Sequence, residues 1–140
     1  MSRLIAGTVG ALVGLHIATW GMYKDAIHEG FFVPRYFRSV VVAILVALAL
    51  EPFVGLDLTS GGGLVVFFGL VYACERIVVE LWKTFFRDED QSKYTIPMQF
   101  RLLHTPIRSR VVRMAVGTAC LAVVAVAALL MRPPPRRRHR

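Results

Sequence analysis

The stretch Leu4-Ile-Ala-Gly-Thr-Val-Gly-Ala-Leu-Val-Gly-Leu-His-Ile-Ala-Thr-Trp-Gly-Met-Tyr23 runs for 20 residues without a formal charge. A helix needs about 20 predominantly apolar residues to cross the hydrocarbon core of a bilayer, so this segment predicts a membrane span. Its one strongly polar member is His16. Gly10, Gly14 and Ala18 follow one another at four-residue steps, a spacing that lets two helix backbones approach closely, and they are expected to be helix-packing positions. Arg3 ahead of the block has the look of a signal-peptide n-region, but the length of the block, His16 and the lack of a small-residue cleavage site favour a retained helix.

Three further apolar blocks lie downstream. Val40–Leu58 begins with Val40–Leu50 uninterrupted and then meets Glu51-Pro52, where the missing amide donor predicts a kink or an early stop. Leu64–Trp82, extended by the glycines before it to 61–82, is apolar except for Glu75, Arg76 and Glu80. Val111–Met131 carries small residues at Ala115, Ala119, Ala122 and Ala125 and has Arg113 near its start, where a long side chain can reach toward headgroups. Between blocks two and three, Thr59-Ser60-Gly61-Gly62-Gly63 reads as a flexible turn that makes a helical hairpin. The expected fold is therefore all-α: an integral membrane bundle of four transmembrane helices (about 4–23, 40–58, 61–82 and 111–131) with short interfacial segments. Residues 1–131 form the membrane domain and 132–140 a basic Pro/Arg tail.

Composition agrees with this. Of the 140 residues 56% are hydrophobic and 19% charged, against roughly 45–50% and 25% in soluble domains, which excludes a disordered or collagen-like chain and disfavours an ordinary soluble enzyme. The two cysteines, Cys74 and Cys120, lie inside apolar blocks with no zinc-like spacing. The net charge of +8, with 14 of 17 cations Arg, fits anionic lipid headgroups at the membrane edge better than nucleic acid. The preference for Arg over Lys, with many Ala and Val, suggests a GC-rich bacterial coding sequence and hence the inner membrane. Nine cations fall in the loops 24–39 and 83–110 and six on the opposite side, so the positive-inside rule places those loops in the cytoplasm, although the Arg-rich tail argues the other way. Trp20, Tyr23, Phe31, Phe32, Tyr36 and Phe37 crowd the first loop, Trp82, Phe85 and Phe86 the exit of the third block. Together with the mixed apolar and basic stretch Ile96–Arg108, they read as an interfacial belt on that side.

Two constellations carry chemistry. Inside the membrane, His16, Glu51, Glu75, Arg76 and Glu80 form a candidate polar network. Arg76 and Glu80 stand one turn apart and are expected to pair, which leaves His16 as a partner for Glu75. The functional reading is a proton or ion path; the structural one is an ion-pair network that fixes helix register. At the loop surface, Asp25, His28 and Glu29, with Asp88 and Asp90, are candidate ligands for Mg²⁺ held against a lipid phosphate. Arg35, Arg38 and Lys93 would bind that phosphate and His28 would serve as a base. The competing reading is that these charges pair among themselves in a solvated loop. No motif requires a resident cofactor. The expectation is a non-enzymatic subunit or scaffold of a membrane complex that contacts anionic lipid and has a membrane-protein partner or further copies of itself. The alternatives are an enzyme acting on lipid phosphate headgroups with a loop-side metal, and a small ion-coupled transporter or channel subunit.

Overall fold

A computed structural model describes residues 1–88 and 99–130, with side chains at all of these except 25–29 and 127–130. It is mostly helical and divides into two units, Met1–Glu80 and Leu81–Arg140. Two helices, Ser2–Lys24 and Val33–Val54, are long and apolar enough to cross a membrane.

In the first unit, α1 spans Ser2–Glu29 and α2 Val33–Val54. At about 1.5 Å per residue the 28 residues of α1 reach about 42 Å, longer than a bilayer core. The helix ends at Gly30, whose φ of 69° is the left-handed conformation that glycine adopts without strain. Phe32 is extended, and its carbonyl accepts the amides of Arg35 and Tyr36, both at 3.0 Å. Pro34 in the first turn of α2 has its φ preset for a helix start. The connection is therefore Gly30–Phe32, not the whole of 24–39, and the second apolar helix is Val33–Val54 rather than 40–58. Arg35 and Arg38 are polar enough to resemble loop residues, yet the first turns of a helix accommodate them. Pro52 lies in the last turn, and Gly55 closes α2 in the left-handed conformation.

The Gly10–Gly14 face lies against α2. A Cβ on Gly10 would stand 2.7 Å from Cα of Ile44, and one on Gly14 would run into the backbone of Val40. Ala6, Val9, Val13 and Ile17 of α1 join Ala43 and Ala47 of α2 in a buried cluster with Leu58, Phe67 and Val71.

The glycine-rich segment is not a flexible turn. Asp57 organises it: its carboxylate accepts from the Thr59 amide (2.9 Å) and the Thr59 hydroxyl (2.6 Å), and its carbonyl accepts from the Ser60 hydroxyl (2.9 Å). These Thr59 bonds, the hydroxyl foremost, hold the Asp57 carboxyl below its usual range. Ser60 then caps α3, Gly61–Leu81, by accepting the Gly63 amide at 3.1 Å, so Gly61–Gly63 form its first turn. A Cβ on Gly63 would collide with the Asp57 carbonyl. Phe67, Val71, Glu75 and Val79 form the buried stripe of α3.

In the second unit, the stretch expected as loop 83–110 contains structure. Trp82–Phe86 is a π-helical turn closed by the Arg87 amide on the Trp82 carbonyl at 2.8 Å. Two short antiparallel strands, β1 (Arg101–Leu102) and β2 (Thr105–Pro106), pair Leu102 with Thr105, a small departure from an all-α chain. Ser109 precedes α4, Arg110–Leu130, and its carbonyl accepts the Arg113 amide at 3.1 Å. Phe85 packs over Gly117 of α4, where a Cβ would lie 2.7 Å from that of Phe85.

Candidate functional site

The polar residues of the helices divide into four settings. Glu75 is fully buried, in register with Phe67, Val71 and Val79. Arg76, one residue on, is rotated away from that stripe and forms an ion pair with Glu80, both side chains remaining 35–40% exposed. His16 is exposed and rests on the Tyr72 ring, centroids 6.0 Å apart. Tyr72 in turn stands one helical turn before Glu75 and Arg76. Glu51 is half-buried in the last turn of α2.

A carboxylate in an apolar stripe loses its hydration and is tolerated only with compensating partners. The Arg76–Glu80 pair cancels its own charge along one helix face. Burial and charge thus make Glu75 the chemically distinctive group of α3. A period of four from Phe67 through Val71 to Val79 was the available sequence signal for its inward position.

Of the phosphate-binding candidates, Arg35 is exposed at the start of α2 with its guanidinium 5.8 Å from the Phe32 ring centre. Arg38 is half-buried. Lys93 and Asp90 lie outside the described residues, as do the side chains of Asp25, His28 and Glu29. Among the described residues no group of three or more His, Cys, Asp or Glu is placed to hold a metal ion.

Asp88 has structural partners. It accepts from Arg113 at 3.0 Å and stands 3.7 Å from Arg110. Arg113, expected to reach outward, is instead 2% exposed and also donates to the carbonyls of Ile107 (3.2 Å) and Arg108 (3.1 Å). The guanidinium thereby ties the segment after β2 and Asp88 to the start of α4. Nothing in a single Arg near a helix start distinguishes this role from a snorkelling one.

The aromatic residues around the α1–α2 connection remain largely exposed: Trp20 and Tyr23 stack on each other, and Tyr36 contacts both Phe31 and Phe37. The Tyr36 hydroxyl bonds that of Thr19 at 2.8 Å, which locks the base of α2 to α1. No protein family, characterised protein or solved structure matches this chain.

Proposed function

We propose that the chain is a small multi-pass integral membrane protein in which α3 and α4 cross the bilayer as well as α1 and α2, and that it serves as a non-catalytic subunit or scaffold of a membrane complex. The supporting observation is the outward apolar surface carried by every helix: Leu12, Leu45, Val65, Ile77 and Val123 are all exposed. A soluble chain would hide such a surface, whereas lipid or a neighbouring helix covers it at no cost in hydration. The glycine seam of α1 is used within the chain, so association with partners falls to other faces. The one best suited is on α4, where Ala115, Ala119, Ala122 and Ala125 are exposed at helical spacing. The Mg²⁺-enzyme alternative has less support, because Asp88 is engaged with Arg113 and Arg110.

The test is intact-complex mass measurement after extraction in mild detergent. A stoichiometric protein partner or a second copy, lost in Ala119→Leu, supports the proposal. A monomer carrying only lipid contradicts the scaffold role.

A further inference from the structure

The two residues between β1 and β2, Leu103 and His104, both have positive φ, 46° and 71°. This is the signature of a type I′ hairpin turn, which ordinarily takes Asn-Gly because side chains with a Cβ are strained there. Leucine is among the residues least suited to it. Among the described residues the strain gains little packing: Leu103 is 89% exposed and Leu102 59%.

The hairpin that carries this tip is firmly held. The Phe100 amide bonds the Thr84 carbonyl at 3.1 Å, the Ile107 amide bonds the Phe100 carbonyl at 3.0 Å, and the Phe85 and Phe100 rings lie 5.2 Å apart. Arg113 binds the carbonyls that follow β2. The base of the hairpin is thus tied to the start of α4. Arg101 in β1 and Arg108 just after β2 flank the tip in the chain, both exposed and without an ion pair among the described residues, and His104 lies at the turn itself. Backbone strain held by well-determined surroundings is a mark of function. An exposed apolar point flanked in the chain by two guanidinium groups, neither with an ion pair among the described residues, is complementary to an anionic bilayer surface, with hydrocarbon below and phosphates at the level of the cations.

We propose that Leu102 and Leu103 form a prong that enters the bilayer interface next to α4, with Arg101 and Arg108 on the phosphates of anionic lipids. The proposal rests on the membrane reading above and adds to it a defined lipid contact.

The experiment uses the full chain with Cys74→Ala and Cys120→Ala, reconstituted in phosphatidylcholine with or without phosphatidylglycerol. A polarity-sensitive fluorophore is attached at Leu103→Cys, with Leu45→Cys and Val123→Cys as reference positions. The expected result at residue 103 is quenching by nitroxides placed shallow in the lipid, protection from aqueous iodide, and strengthening of both by phosphatidylglycerol. Arg101→Gln or Arg108→Gln each lowers the ratio of inserted to free prong about fivefold in the anionic bilayer. A second variant separates insertion from folding: Leu103→Asn with His104→Gly suits the turn better, so the hairpin persists, and a label at Leu102→Cys should lose its lipid quenching. Iodide quenching at 103 without lipid quenching, while positions 45 and 123 are lipid-quenched, overturns the prong and leaves the membrane reading standing. Lipid quenching at 103 that ignores phosphatidylglycerol overturns the anionic-lipid contact. Absence of lipid quenching at 45 and 123 as well overturns both.

Discussion

Arg113 illustrates how a single side chain changes role with its surroundings. An arginine near the start of an apolar helix is ordinarily read as snorkelling to the headgroups. Here its guanidinium is buried and shared between two carbonyls and Asp88. Replacing it leaves Ile107 and Arg108 without their donor and opens a gap the size of a large side chain. Asp88, 58% exposed, would keep Arg110 beside it and its access to water. We expect Arg113→Leu to destabilise the second unit by about 2 kcal/mol, read as a lower unfolding midpoint in detergent. Asp88→Asn should cost less, since both carbonyl bonds remain. Equal losses from the two changes would contradict this account of Arg113. The turn at Leu103 and His104 was illegible in the sequence for a related reason. Without Asn, Gly or Pro, nothing local announces positive φ, and the conformation is imposed by the strands and their anchors.

At the scale of elements, the α1–α2 hairpin tests the geometry most sharply. Gly10 and Gly14 sit where α2 comes closest, whereas a Cβ on Gly7 would meet only Leu48 at an ordinary 3.9 Å. Gly14→Ala is therefore expected to destabilise by about 1–3 kcal/mol through overpacking, and Gly7→Ala to be neutral or slightly stabilising through its better helix propensity. Thermal unfolding of the two variants side by side reads the difference, and equal midpoints would contradict the close approach. The existence of α1 was plain from Leu4–Tyr23, where no charge interrupts the helical pattern. The start of α2 was not: Arg35 and Arg38 resemble a loop until Pro34 and the extended Phe32 are recognised as a helix entry. The Gly61–Gly63 run looks like a hinge by composition, and only the Asp57–Ser60 hydrogen bonds convert it into a capped helix start. The π-helical turn at Trp82–Phe86 has the same apolar character as the helix before it, so no change of composition marks it. As for the candidate sites, the i, i+4 spacing made the Arg76–Glu80 pair legible, and the four-residue step through Phe67, Val71 and Val79 marks the inward face on which Glu75 lies.

For the whole molecule, the central proposal is that the apolar chain crosses the membrane four times. The exposed apolar faces of α1 to α4 support it, and so does the aromatic cluster at the α1–α2 connection, whose amphipathic rings favour the interface. Crossing number is odd or even, and parity is measurable. With Cys74 and Cys120 replaced by alanine, single cysteines at Ser60 and Ser92 are challenged with a membrane-impermeant maleimide in sealed vesicles of known orientation. The account predicts labelling from opposite sides, with Ser92 accessible from the cytoplasmic face; labelling of both positions from the same side would contradict it.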